Sequence, residues 1–80
     1  NKFNTSAIEI YPNPSKSTIN IKLDSSEPIN QILVLDIEGR LVKSFSPNSN
    51  KINVSDLTKG IYFLKVITRE RTLTKKFFKQ

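Results

Sequence analysis

The chain has 80 residues and a formal net charge of +6, and it contains no cysteine, histidine or methionine. The missing cysteine and histidine exclude disulfides, thiolate or imidazole metal sites, and catalytic pairs of a nucleophile with a histidine. No apolar run approaches the roughly 20 residues of a membrane-spanning helix. A chain of this length is enough for one small domain whose core is only just sufficient.

The first six residues, 1–6, are polar and show no periodicity. They are predicted to be a linker to an upstream cargo domain, with residues 7–80 forming the folded domain. The same segment lacks the apolar centre of a signal peptide. If the domain is exported, we therefore expect it to be the tail of a longer precursor.

The positive charge is unevenly distributed along the chain. Residues 1–40 carry four basic and five acidic groups, whereas residues 41–80 carry nine basic and two acidic groups. A basic C-terminal half could bind nucleic acid, anionic lipid or an acidic protein groove. A solvated strand face whose lysines discourage edge-to-edge aggregation explains the same excess. From charge alone we favour this second interpretation.

In chain order, alternating apolar residues first predict two short strands, at 7–11 and 18–23, with their isoleucines on the inner face. Between them, Pro12 and Pro14 lack amide hydrogens and fix φ, so the chain must leave the ladder here. The following proline holds Asn13 in an extended conformation. The sequence therefore predicts a strand, a proline-stopped connection and a second strand.

The middle of the chain predicts a central strand followed by a hairpin. Ile32–Leu35 is apolar on both faces, which is typical of a strand covered on both sides. Asp36 at the first position and Gly39 at the fourth fit a type I turn followed by a left-handed residue. Asp36 is interpreted as a turn former that accepts backbone N–H groups rather than as a catalytic or metal-binding residue. Strands at 41–45 and 51–54 follow.

The stretch 56–67 is predicted to organise the sheet. Gly60 can take the positive φ of a tight turn, and the strand after it carries large apolar residues on both faces, which predicts a central, covered position. The spacing of Leu57, Gly60 and Tyr62 is similar to a tyrosine corner, in which the hydroxyl bonds upstream backbone. A half-buried strand aromatic is the alternative at Tyr62, and the sequence leaves both open.

The last predicted strand, 72–79, places two phenylalanines side by side. Because neighbouring residues of a strand point to opposite faces, Phe77 is predicted to face the core with Leu73. Lys76 and Phe78 are then predicted to share the opposite face. About seven short strands without a helical period predict an all-β antiparallel sandwich of two layers.

The sequence offers no catalytic constellation. Its only glycines are Gly39 and Gly60, so there is no glycine-rich phosphate loop. The carboxylates fall mainly in predicted turns or on outward strand positions, and nothing in their spacing makes two of them converge for acid–base work. We therefore expect no enzyme, no cofactor and no metal site.

Four blocks of the sequence form a recognisable ordered pattern. They are Ile10-Tyr11-Pro12-Asn13-Pro14-Ser15, Leu35-Asp36-Ile37-Glu38-Gly39-Arg40-Leu41-Val42, Leu57-Thr58-Lys59-Gly60-Ile61-Tyr62 and Lys75-Lys76-Phe77. Together they resemble the type A C-terminal sorting domains of the type IX secretion system, known as Por secretion tails. The similarity covers residues 8–80, in the family's order and spacing. One departure is Phe78, which stands where many members have a β-branched aliphatic residue.

The resemblance implies an immunoglobulin-like sandwich that acts as a noncatalytic address on a larger cargo in Gram-negative bacteria. Such a cargo reaches the periplasm, and the outer-membrane translocon then reads its tail. A sortase-like peptidase usually removes the tail, and the cargo is released or joined to surface lipopolysaccharide. The resemblance implies neither a nucleic-acid partner nor a membrane span.

The resemblance also suggests which residues matter. The proline-rich start of the domain is now interpreted as a segment that defines the fold or as a surface that the translocon reads. The glycines are still interpreted as structural. The basic last strand becomes a candidate for recognition. Two other functions remain open: a fibronectin-like adhesion or spacer module retained on a secreted enzyme, and binding of an anionic polymer. The candidate recognition and motif residues are Tyr11, Pro12, Asn13, Pro14, Gly39, Gly60, Tyr62, Lys75, Lys76 and Phe77.

Overall fold

The computed structural model describes residues 8–12, 16–23, 28–47 and 49–80. These parts of the chain form seven strands and no helix, so none of them crosses a membrane as a helix. The predicted linker, 1–6, and Ala7 lie outside the described residues. The strands are β1 (Ile8–Tyr11), β2 (Thr18–Leu23), β3 (Ile29–Asp36), β4 (Leu41–Phe45), β5 (Lys51–Asn53), β6 (Gly60–Thr68) and β7 (Thr72–Lys79).

The strands form two antiparallel sheets. One has three strands in the order β1-β2-β5, and the other has four in the order β4-β3-β6-β7. β3 and β6 lie at the centre of the four-stranded sheet, as the apolar runs in the sequence predict. The all-β antiparallel sandwich is confirmed.

A single core lies between the inner faces of the two sheets. The three-stranded sheet contributes isoleucines whose pairs face each other across the ladder, such as Ile10 with Ile21 and Ile19 with Ile52. Full burial of one such side chain stabilises the fold by roughly 1.5–3 kcal/mol. The predicted inward positions are confirmed. The buried apolar residues are Ile8, Ile10, Ile19, Ile21, Ile29, Ile32, Val34, Ile52, Val54, Tyr62, Leu64, Val66 and Phe77.

The prediction that β3 and β6 are covered on both faces is wrong. On β6 the inward Leu64 and Val66 are fully buried, whereas the outward Phe63 is only half-buried and Ile61 is 43% exposed. The two sheets cover each other's inner faces, and no third layer of described residues lies over the outer face of β3 and β6. An apolar outer face therefore stays accessible on a central strand.

Several strand boundaries also differ from the sequence prediction, the largest difference being at the start of β3. β3 begins at Ile29 rather than Ile32, β5 ends at Asn53, and β6 extends to Thr68. Apolar and polar residues do not alternate at the start of β3, because the register with β6 shifts between Ile29 and Gln31. Such a bulge places two exposed residues in succession.

The strand registers define two ends of the sandwich. One, which we call the motif end, contains Tyr11–Pro12, the Asp36–Arg40 turn, Gly60 and Lys79–Gln80. Gly60 is paired with Lys79 there, and Pro12 and Gln80 border the same surface depression. Ile8 is paired with Leu23 at the opposite end. The chain therefore enters the fold at the end farthest from the motif end.

Candidate recognition surface

The turn before β6 is a tyrosine corner. The Tyr62 hydroxyl donates to the carbonyl oxygen of Thr58 at 2.7 Å and lies 3.1 Å from the Thr58 hydroxyl. Gly60 has a φ of +149°, so the predicted positive φ is present. Because Tyr62 is buried and its hydroxyl bonds upstream backbone, the corner interpretation is confirmed over the half-buried strand aromatic.

The hairpin between β3 and β4 is built on the Asp36 carboxylate, as predicted. Its Oδ1 accepts the backbone N–H groups of Glu38 and Arg40, both at 2.9 Å. Its Oδ2 accepts the Arg40 Nε at 3.0 Å, and Gly39 has a φ of +86°. These bonds, the Arg40 N–H first, hold the pKa of Asp36 below its ordinary value. The carboxylate is thereby committed to shaping the turn.

An ion pair that the sequence does not predict connects β4 to the segment before the corner. The Lys43 Nζ lies 2.9 and 3.0 Å from the two carboxylate oxygens of Asp56. The Lys43 hydrogen bond is the main cause of a lowered pKa at Asp56. The two residues are 13 positions apart, so only the strand order brings them together.

The proline-rich start of the domain lies on the surface of the motif end. Tyr11 and Pro12 are exposed, and the peptide bond between them is cis. The Asn20 side-chain amide donates to the Tyr11 carbonyl at 3.2 Å. Pro12 borders a depression of about 470 Å³ together with Lys16, Lys51 and Gln80. Asn13 and Pro14 lie outside the described residues.

The lysines of the last strand do not form one basic face. Lys76 is exposed opposite Phe63 on the outer face, whereas Lys75 is half-buried opposite Leu64 on the inner side. Lys79 is buried, and its Nζ donates to the carbonyl oxygen of Gln80 at 2.9 Å. Phe77 is 1% exposed and belongs to the core, as predicted. Among the candidates of this strand, the structure therefore leaves Lys76 best placed to meet a partner.

Four exposed apolar residues at the motif end are not among the candidate site residues named from the sequence. They are Ile37, Leu41, Ile61 and Phe78, and we call them the outer patch. Ile61 and Phe78 are directly opposite each other on β6 and β7. Ile37, an apolar residue inside a turn, is the one local feature of the sequence that indicates such a surface.

The chemistry available on this surface is that of binding. Among the described residues, no group of His, Cys, Asp or Glu could hold a metal ion. Asp36 and Asp56, whose pKa values are lowered, each already accept hydrogen bonds from a cationic side chain. The apolar, hydrogen-bonding and cationic groups of the motif end suit contact with another macromolecule.

A sandwich of three strands over four, with a tyrosine corner at the start of β6, defines the class of immunoglobulin-like modules. Comparison with known protein families matches residues 9–80 to the secretion system C-terminal sorting domain. The chain belongs to this family, whose members are sorting signals of type IX secretion and are generally noncatalytic. This places it on a secreted or cell-surface protein. No curated protein matches the chain significantly.

Proposed function

We propose that this domain directs a larger cargo protein through the type IX outer-membrane translocon and is then removed by a sortase-like peptidase. The cargo passes through the periplasm and ends at the cell surface or outside the cell. The family match over residues 9–80 carries this proposal, because it spans every described strand from Glu9 onward.

The position of the chain's start supports a role as a tail. Ile8 begins β1 at the end opposite the motif end. A cargo attached upstream of Ile8 would therefore lie away from the Tyr11–Pro12 segment, the Asp36–Arg40 turn and Gly60. A receptor can then reach the motif end while the cargo remains attached.

The boundary of β1 supports removal at a defined place. Ile8 is buried, and the ladder with β2 begins at its pairing with Leu23. A peptidase groove needs an extended segment, which the paired β1 cannot supply without leaving the sheet. Cleavage is therefore proposed upstream of Ile8.

The test is to fuse residues 1–80 to a reporter targeted to the periplasm, in a host that carries the secretion system. The fraction of reporter outside the cell is measured against the reporter without the tail. A second control is the same fusion in a strain that lacks the translocon. We expect export only with both tail and translocon. Equal export from the translocon-deficient strain would contradict the proposal.

A retained adhesion or spacer module is the second candidate, because fibronectin-type modules share this sandwich architecture. The intact mass of the mature cell-surface protein separates the two candidates. A sorting tail is absent from the mature protein, whereas a spacer is still present.

A further inference from the structure

The outer face of the four-stranded sheet carries an apolar patch at the motif end. Ile61 and Phe78 form a cross-strand pair on this face and are 43% and 46% exposed. Ile37, in the adjoining turn, is 68% exposed, and Leu41 at the start of β4 is also exposed. Exposed apolar groups that are contiguous rather than scattered mark interaction sites.

Two surface depressions adjoin the cross-strand pair. One, of about 360 Å³, is bordered by Asp36, Ile37, Lys59, Ile61 and Phe78. The other, of about 160 Å³, lies between Ile61, Lys76 and Phe78. Side chains of a partner can therefore insert on both sides of the pair rather than meet a flat surface.

The charged residues on the outer strand faces beside the patch are lysines, whereas the carboxylates near it are ion-paired. Among the outward positions of β3, β4, β6 and β7, all of which the structure describes, the charged residues are Lys65 and Lys76. Lys59 borders the patch at the corner. The nearest carboxylates, Asp36 and Glu38, are both paired with Arg40. The patch therefore favours an occupant that carries apolar groups and negative charge.

We propose that the outer patch docks a protein segment with apolar side chains flanked by aspartate or glutamate, and that the translocon reads the domain through this contact. The inference rests on the proposed function and names the surface on which it depends. Three separate segments build the patch: the turn after β3 with the start of β4, the start of β6, and the end of β7. Only the folded domain brings them together, so the patch can report that the tail has folded.

The structure argues against two other occupants. An anionic membrane surface is typically bound by clusters of four to eight basic residues, whereas Lys59 and Lys76 are the two basic residues, among those the structure describes, that line the depressions of the patch. A second copy would bring the same lysines of two positively charged chains together.

The experiment compares two double variants of the reporter fusion. Ile61→Thr/Phe78→Thr removes the apolar pair, and threonine suits a strand. Glu9→Thr/Lys22→Thr is the matched control, because these residues are an exposed cross-strand pair on the outer face of the other sheet. We expect both isolated domains to remain folded at the temperature of the export assay, which their thermal melts check. The patch variant should lose export by about tenfold or more, as central contacts of an interface do, while the control exports like the parent.

Charge is tested separately at the two bordering lysines. Lys59→Glu/Lys76→Glu should lower export further than Lys59→Gln/Lys76→Gln, because only the former repels an acidic partner. Equal export from the two pairs would overturn the acidic partner. If the patch double variant fails to fold, Ile37→Thr, in the exposed turn, provides the same test.

The outcomes separate the inference from the proposed function. If the parent tail does not export the reporter, the proposed function fails. If the parent exports it and the folded patch variant does so equally well, docking at the patch is overturned and the sorting function stands.

Two further measurements on the parent and the patch variant complete the test. Dimerisation of the parent but not of the patch variant in sedimentation velocity would show that the occupant is a second copy. Binding of the parent but not of the patch variant to phosphatidylglycerol vesicles would show that it is lipid. Either result would overturn the acidic protein partner.

Discussion

The ring of Phe77 stacks on the ring of Tyr62, with centroids 5.6 Å apart and planes inclined by 22°. The two residues are direct partners across β6 and β7, and the Tyr62 hydroxyl bonds the Thr58 carbonyl. One aromatic pair thus connects the last strand to the corner that begins β6. Such a pair stabilises a fold by about 0.5–1.5 kcal/mol beyond its buried area.

Phe77 and its neighbour Phe78 form a natural comparison of core and surface. Phe77→Ala should destabilise the domain by about 3–5 kcal/mol, because it removes a ring that is 1% exposed. Phe78→Ala should cost less than about 1 kcal/mol, because that ring is 46% exposed. Urea denaturation followed by circular dichroism measures both. Equal losses would contradict the inward position of Phe77.

The corner hydrogen bond is tested by removing a single oxygen. Tyr62→Phe should destabilise the domain by about 1 kcal/mol, since the hydroxyl satisfies the Thr58 carbonyl in a partly buried place. Tyr11→Phe is the control, because Tyr11 is exposed at the end of β1. The two melting midpoints are compared with that of the parent. A midpoint for Tyr62→Phe as high as that for Tyr11→Phe would mean that the bond contributes nothing.

Local patterns in the sequence predict most of the fold. The alternation of apolar residues places the strands, and Asp36 and Gly39 identify their hairpin because turn chemistry is local. The inward position of Phe77 follows from strand periodicity alone. Each of these features depends on residues close together in the chain.

The missed features depend on the relation between distant segments. To predict the Lys43–Asp56 ion pair, one must know the order of the strands in the sheet. To predict the outer patch, one must know whether a further layer covers the outer face of that sheet. Apolar runs such as Ile61–Ile67 indicate a central strand, but they do not say whether its second face is covered. The opposite directions of Lys75 and Lys76, by contrast, are a local property that the sequence predicts, because neighbours on a strand point to opposite faces.

Gly60 is required for its backbone conformation rather than for space. A Cβ at Gly60 would meet no atom within 4 Å, but its φ is +149°. Gly60→Ala and Gly60→Val should therefore both destabilise the domain by about 1 kcal/mol or more, with valine the worse because it is β-branched. Thermal melts of the two variants measure this. A parent-like midpoint for both would show that the turn tolerates a side chain.

The Asp36 carboxylate should make stability depend on pH in the acid range. Its native pKa lies below the ordinary value of 3.8, mainly through the Arg40 backbone N–H. A lowered pKa stabilises the fold above the unfolded pKa, and this contribution is lost as the pH falls through the native pKa. The stability difference between the parent and Asp36→Asn should therefore shrink from about pH 6 to about pH 2. Urea midpoints across this range measure it, and a constant difference would contradict it.

The boundary between cargo and domain should coincide with the start of β1. We expect the mature cargo to end upstream of Ile8, within or before residues 1–6, because Ile8 is buried and paired from the first position of the ladder. Mass spectrometry of the C-terminal peptide of the exported reporter locates the cut. A fusion that lacks residues 1–6 is the control, and it should be processed more slowly because the cargo then adjoins the paired strand. A mature C-terminus between Ile19 and Phe77 would mean that the sandwich unfolds before it is cut.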